Sequence, residues 1–263
     1  MDKLAEYNRE RWNALVEAGI LYSRPKLEMD EATARQMIDE EGLLGDVAGK
    51  RVLLLAGGGG QQSAAFGFLG AQVTVLDLSD GQLEKDRLVA AHYGYDLDIQ
   101  QGDMRDLSRF RDASFDIVWQ PYAINYVPDV RPVFAEAARV LRGRGWYTVT
   151  WHNPFTQTVD DTQWHPEHGY PLKWPYVDGE IDPAIFGTAN WTVETESGEQ
   201  VEVEGPRMFR HTMRTFLNSL VDNGFHIRRF SEHRTWDENP EPGTWEHYKS
   251  VSPPYLTVWT VKE

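Results

Sequence analysis

Between Lys3 and Ala18 the apolar residues Leu4, Trp12, Leu15 and Val16, with Tyr7 among them, recur at helical spacing, and Gly19 offers a stop. The chain therefore opens on an amphipathic helix, and a second is expected over Glu31 to Glu41 with Asp30 as its N-cap. From Arg51 the period changes. The run RVLLLA, Arg51 to Ala56, favours a buried strand; it is closed by the glycines Gly57 to Gly60 and followed by a helix over Gln61 to Leu69. The cycle then repeats. A strand from Gln72 to Leu76 ends at Asp77, Ser79 caps a helix through about His92, and Leu97 to Gln101 is a third strand. Phe115 to Trp119 gives a fourth strand, Val130 to Leu141 a helix and Gly145 to Trp151 a fifth strand. Alternation of this kind predicts an α/β fold with a parallel sheet covered by helices on both faces, and Leu53, Leu55, Val73, Val75, Ile117 and Val118 in its core.

After His152 the texture changes. Residues 153 to about 210 are rich in Pro, Gly, Trp and His and hold one hairpin signal, Trp191 to Glu194 and Gln200 to Glu204 around Ser197 and Gly198. A helix capped by Thr212 runs to Asn223 before Gly224, and strands follow at Phe225 to Phe230 and Tyr255 to Val261. Eight of the ten tryptophans lie from Trp146 onward, so an irregular stretch either buries itself with aromatics or lines a pocket with them; Trp151, Trp164, Tyr170, Trp174 and Tyr176 are the candidates.

Composition narrows the partners. Across 263 residues, 26 Lys and Arg face 41 Asp and Glu, a formal charge of −15 that repels phosphate backbones and acidic membrane surfaces. The absence of cysteine excludes disulfides, iron–sulfur clusters, thiolate zinc sites and a cysteine nucleophile. The charged start MDKLAEYNRERW lacks a signal-peptide pattern, and no run approaches the ~20 apolar residues of a membrane span, so a cytoplasmic protein is expected. His165 and His168, with Glu167 and Asp161 nearby, lack a repeated ligand pair and are read as surface or pocket residues, with no metal expected.

The glycine turn after the first strand presents backbone N–H groups at a helix start, a place for an anion. A phosphate-binding P-loop is excluded, because the only Gly-Lys pair, Gly49-Lys50, precedes the strand. The dinucleotide fingerprint demands glycine at Gln62 or Ser63, which leaves a nicotinamide oxidoreductase as a minor reading.

The segment VLLLAGGGGQQSAAFGFLGAQVTVLDLSDGQLEKDR resembles the first two motifs of class I S-adenosylmethionine-dependent methyltransferases, of the type 11-like, bacterial small-molecule subgroup. GDM at Gly102 to Met104, FDIVWQPYAINYVPD at Phe115 to Asp129 and FAEAARVLRGRG at Phe134 to Gly145 continue the likeness. The resemblance implies a Rossmann-like, doubly wound, mostly parallel seven-stranded sheet. It divides a single domain into an N-terminal helical lid (1–45), a core (46–152 and 211–263) and a substrate-side insertion (153–210). It implies S-adenosylmethionine as cofactor and S-adenosylhomocysteine as product. The cofactor site implied comprises Ala56, Gly57, Gly58, Gly60, Gln62, Asp77, Leu78, Gln82, Asp103, Met104 and Gln120. The Gly57 to Gly60 N–H groups would take the methionine carboxylate, Asp77 the ribose hydroxyls, Asp103 the adenine amino group beside Met104, and Gln120 the methionine portion. Asp77 and Asp103 read without the family are simply a helix cap and a loop residue.

Two positions depart from the family: Leu54 stands where an acid is usual and Ala56 where the first glycine is usual. Acceptor contacts are expected from Tyr122, Asn125, Tyr126, His152 and Asn153, with His152 as candidate base and His152, Tyr122 and Asn125 as candidate catalytic residues. Asn125 occupies a position where many members carry histidine. Tyr7, Trp12 and Tyr22 are lid or core. The expected function is methyl transfer to a small-molecule acceptor. The alternatives are a non-catalytic cofactor-binding relative with a regulatory or structural role and, disfavoured by charge, a nucleic-acid methyltransferase.

Overall fold

Strand β1 (Arg51–Leu55) buries four successive residues, Val52 to Leu55, because it lies in the middle of a sheet with helices on both sides. The computed structural model describes residues 1–182, 189–195 and 197–263. Around β1 lie β2 (Gln72–Asp77), β3 (Leu97–Gln101), β4 (Phe115–Gln120), β5 (Leu141–His152), β10 (Phe225–His233) and β11 (Tyr255–Lys262), in the order β10-β11-β5-β4-β1-β2-β3. The pairs β1–β2, β2–β3, β1–β4 and β4–β5 are parallel, and β11 runs antiparallel to both β5 and β10. This is the Rossmann-like seven-stranded sheet the sequence led us to expect.

The period of two along β1 divides the core. Leu53 and Leu55 pack with Val118, Phe134 and Phe216 on one face; Val52 and Leu54 pack with Phe66, Ile117 and Trp259 on the other. The first face is covered by α5 (Arg131–Val140) and α6 (Met213–Asp222), the second by α2 (Glu31–Asp39), α3 (Gln62–Phe68) and α4 (Asp80–Tyr93). Caps set the helix starts: Asp30 accepts from Thr33 N, Ser79 from Gln82 N and Thr212 from Thr215 N. Helix α1 (Lys3–Glu17), capped by Asp2, lies outside the sheet and packs against α4.

Several elements run beyond their expected limits. β5 begins at Leu141 and β10 continues to His233, since pairing with neighbouring strands holds polar residues whose own pattern gives no strand signal. Helix α7 (Trp245–Val251) was not expected; only Tyr248 of its seven residues is buried, so it shows no apolar stripe. In the insertion, β6 (Gly179–Glu180) pairs with β9 (Phe209–Arg210), and β7 (Asn190–Glu194) with β8 (Gln200–Glu204) forms the expected hairpin. The hairpin leans on α1, with Trp12 and Trp191 edge to face at 5.9 Å. Among the described residues no helix is long and apolar enough to cross a membrane.

β5 is fastened to α6 by Trp151 and Phe216, both fully buried, whose rings stack 3.9 Å apart at 8°. Phe216→Ala leaves a cavity against that indole and should cost about 3–5 kcal/mol in urea unfolding. A loss under about 1 kcal/mol would mean that the stack contributes nothing to the fold.

Candidate active site

β1 is the switch point of the sheet: the chain leaves it for β2 on one side and reaches β4 on the other, which opens a crevice beyond the carboxyl ends of β1 and β4. The turn there is unusually tight. Ala56 takes a left-handed φ of 50°, and its N–H reaches Leu76 O at 2.7 Å. At Gly58 a Cβ would stand 2.7 Å from the Gln82 Cβ; at Gly60, φ 71°, it would stand 2.7 Å from Lys85 O. These glycines are required by the close passage of α4.

Two carboxylates hold the turn. Asp77, at the end of β2, accepts from Gly58 N (3.0 Å) and Ser79 N (2.9 Å). Asp86, fully buried inside α4, accepts from Gly59 N (3.0 Å), Gly60 N (3.1 Å) and Ser63 Oγ (2.5 Å). The expectation that the Gly57 to Gly60 N–H groups wait for a ligand carboxylate is thereby corrected for Gly58, Gly59 and Gly60. Buried N–H groups demand partners, and the fold supplies them internally. Asp86 was missed although a signal exists: Leu83, Asp86 and Val89 recur at helical spacing on the buried side of α4, so a carboxylate sits on an apolar stripe. Burial pushes the Asp77 carboxyl up and brings Asp86 to about 7.

In front of this turn lies a cavity of about 1100 Å³, more than the ~300–1000 Å³ of one ordinary ligand pocket, so two small molecules fit side by side. Ala56, Gly58, Gln62, Asp77, Leu78, Gln82 and Met104 line one end, and the buried Gln82 Oε1 there lacks a hydrogen-bond partner. His152, Tyr122, Tyr126 and Tyr255 line the other, with Tyr122 and Tyr255 rings 5.1 Å apart. From α1 and the turn after it come Trp12, Tyr22 and Arg24.

A family model described as a methyltransferase domain matches residues 53–149, from β1 through most of β5. The uncharacterized methyltransferase YbaJ of Bacillus subtilis is 31% identical over 88% of this chain and 87% of its own length. The chain belongs to the class I S-adenosylmethionine-dependent methyltransferases. A ubiquinone biosynthesis O-methyltransferase of Xanthomonas oryzae is 30% identical over 55% of this chain and 57% of that relative. The structure of an S-adenosylmethionine-dependent methyltransferase of Mesorhizobium loti shares the fold, with a TM-score of 0.65 at 22% identity over 90% of this chain and 100% of that one.

Within this methyltransferase not every expected site residue reaches the cavity. Asp103 is gripped by the Arg105 guanidinium (Nη2 to Oδ2 2.5 Å), which also binds Asp2 at 2.9 Å; charge pairing turns it to the N-terminus rather than to the lining. Gln120 is fully buried, accepting from the Tyr147 hydroxyl and donating to Met104 Sδ at 3.1 Å, so it braces the wall behind Met104. Gly57 and Gly60 lie behind the lining. Asn125 is fully buried outside the lining: Oδ1 accepts from His152 N and Nδ2 donates to Phe209 O, each at 2.9 Å, which ties β5 to β9 and keeps it away from an acceptor. Asn153 is anchored on Pro253 O and Pro254 O.

Of the two readings of the aromatics from Trp151 to Tyr176, the packing one holds and the pocket one does not. Trp151 is in the core, Trp164 and Tyr170 pack on His247, Tyr176 accepts from Met213 N, and none of these, nor Trp174, lines the cavity. Trp191, Trp245 and Tyr248 do instead. Tyr7 turns outward to donate to Glu204 Oε1 at 2.6 Å. His165, Glu167 and His168 are exposed, with ligand-type atoms within 4.8 Å of one another, and lie outside the cavity lining.

Asp86→Asn replaces one of two accepting oxygens with an amide donor and should lower stability by about 1–3 kcal/mol in denaturant at pH 5. The buried carboxyl titrates near 7 against 3.8 unfolded, so the stability it contributes is full below the lower value and is lost as pH rises through the upper. The gap between wild type and variant should narrow from pH 5 to pH 8. A gap that stays constant over this range would show that Asp86 remains ionised.

Proposed function

We propose that the cavity holds S-adenosylmethionine against Asp77 and transfers its methyl group to a small organic acceptor held against Tyr122, His152 and Tyr255. The observation that supports this reading is the single continuous hollow joining the two ends. The residues fit the cofactor. Each Asp77 oxygen has one backbone donor and keeps a lone pair for a ribose hydroxyl, and the missing Gly58 side chain keeps Oδ2 uncovered, since a Cβ would sit 3.0 Å from it. Leu78 and Met104 offer apolar walls for a purine. Arg24 is the only Lys or Arg among the described lining residues. It gives Nε to Gly19 O (3.0 Å) and Nη2 to Glu194 O (2.5 Å) and is joined to the turn by Gln61, so it is the counter-charge we assign to the amino-acid tail. Leu54, at the position of the usual acid, is fully buried in the core and takes no part.

When bound, this cofactor supplies an electrophilic methyl on sulfur. The protein's part is to exclude water and to align an acceptor, which is worth up to ~7–11 kcal/mol in well-oriented systems. His152 is corrected as candidate base. Burial, and then the Arg210 charge, push its imidazole down to about 3, so it is neutral at physiological pH and too weak a base to hold a proton there. With Tyr122 Oη 3.4 Å from its Nδ1, it instead offers a hydrogen bond that orients the acceptor. The acceptor is read as small because the hollow left beside a cofactor is walled by aromatic rings, and the charge of −15 opposes a nucleic acid.

Calorimetry with S-adenosylhomocysteine tests the site. Asp77→Ala should weaken binding ten- to a hundredfold, the worth of about 1.5–3 kcal/mol of charge-assisted hydrogen bonding. Asp103→Ala should change it less than about threefold, because Arg105 already engages that carboxylate. Equal losses in the two variants, or no binding by wild type, would overturn this reading.

A further inference from the structure

Two adjacent aspartates in the insertion have opposite fates. Asp160 is buried and spent: it accepts from Lys173 Nζ at 2.7 Å and from Thr162 Oγ1 at 2.7 Å. Asp161 is half-buried, lines the cavity, and has no hydrogen bond or ion pair to another side chain among the described residues. A carboxylate kept partly out of water with its own backbone N–H as donor and no countercharge beside it costs free energy, which a ligand cation would recover. Its charge reaches Tyr248 and Tyr170, whose hydroxyls are pushed up by burial and then by Asp161.

Its surroundings suit a cation. Tyr248 donates its hydroxyl to Thr156 O at 2.9 Å, so what it offers the cavity is its ring, and Trp245 stacks beside it at 5.5 Å. Tyr255 continues this aromatic wall to His152, centroids 5.3 Å apart, and His152 carries no positive charge above about pH 3. Arg210, the cation that acts on His152, is buried outside the lining and donates to Pro175 O and Gln157 O, each at 2.6 Å, and the Lys173 ammonium is taken by Asp160. Electron-rich ring faces and one carboxylate together form a seat for an ammonium group, and the chain's −15 draws cations toward it from a distance.

We propose that the acceptor carries an organic amine, bound as its cation with the charged nitrogen against Asp161 and its apolar body along Trp245, Tyr248 and Tyr255; that ammonium has no lone pair and serves as the anchor, so the methyl goes to another atom of the acceptor. This rests on the reading of the cavity given above and names its acceptor class. Carboxylates and diphosphates are disfavoured, because no Lys or Arg lines that end.

The test uses the full chain saturated with S-adenosylhomocysteine and reads quenching of tryptophan fluorescence. Phenethylamine and hexylamine are titrated against 2-phenylethanol and hexanol, their neutral isosteres, and against 3-phenylpropanoate. At least one amine should bind tenfold or more tighter than its alcohol, and the carboxylate should not bind at millimolar concentration. Asp161→Asn should reduce the amine to the level of the alcohol with the melting temperature unchanged, and Asp161→Glu should restore part of the preference. Alcohol binding equal to amine, absence of amine binding at millimolar concentration, or a preference that survives in Asp161→Asn overturns the proposal. The titrations are repeated without S-adenosylhomocysteine, so a protein that fails to bind that product sinks the cofactor reading while the charge preference is still decided.

Discussion

The turn after β1 has to satisfy several backbone N–H groups that neither sheet nor helix can pair, and two carboxylates, one of them fully buried, satisfy three of them from outside the turn. Asp77 comes from β2 and Asp86 from α4, so the loop, the neighbouring strand and the next helix are bound into one unit. The arrangement explains why the glycines are needed. With α4 drawn in to deliver Asp86, its backbone passes so close that a methyl group at Gly60 would collide with Lys85 O. Asp77 is held there by the same bonds that orient it, and it presents its remaining lone pairs to the cavity already aligned.

The segment after α1 completes the enclosure. Lys26 N donates to Gly60 O at 3.0 Å, and Gln61 donates to Leu21 O and Arg24 O, so this stretch is tied to the glycine turn it covers. Arg24 thereby stands near the glycine turn while Tyr22 and Trp12 reach the cavity wall. Trp12 also meets Tyr126, at 5.4 Å, and the hairpin residue Trp191. One helix thus links the sheet side of the cavity to the insertion, and the rings involved both pack the joint and line the hollow.

The sheet was legible in the sequence because its signals are local. Runs such as RVLLLA and QVTVLD alternate with capped helices, and the boundaries of β1, β2, β3 and α4 fall within a residue or two of those expected. At the glycine-turn end of the cavity, sequence position foretold that Asp77 and Met104, at and just beyond strand ends, stand in the lining. It failed where the competing partner is another side chain. Nothing in GDMRD says whether Asp103 faces the crevice or folds back on Arg105, two residues on, because that choice depends on Asp2 arriving from the opposite end of the chain. The acceptor end was least legible. Its rings come from Trp12, Tyr122, Trp191, Trp245 and Tyr255, separated by up to 243 positions and brought together by the sheet and α7, whose pattern is too short to read.

The same cause explains why His152 is a neutral hydrogen-bonding partner and no reservoir of protons. A histidine immediately after a sheet strand invites assignment as a base from sequence, yet its basicity is set by what packs on it. Tyr122 and Tyr255 remove water from the ring, and Arg210 behind it repels a second positive charge; both favour the neutral form. The transferred methyl arrives on a cationic sulfur whose charge disappears as the bond to the acceptor forms, so a neutral, dry wall at that point spares the protein the cost of facing one positive charge with another. In the proposed reaction His152 therefore takes no proton from the acceptor and remains uncharged.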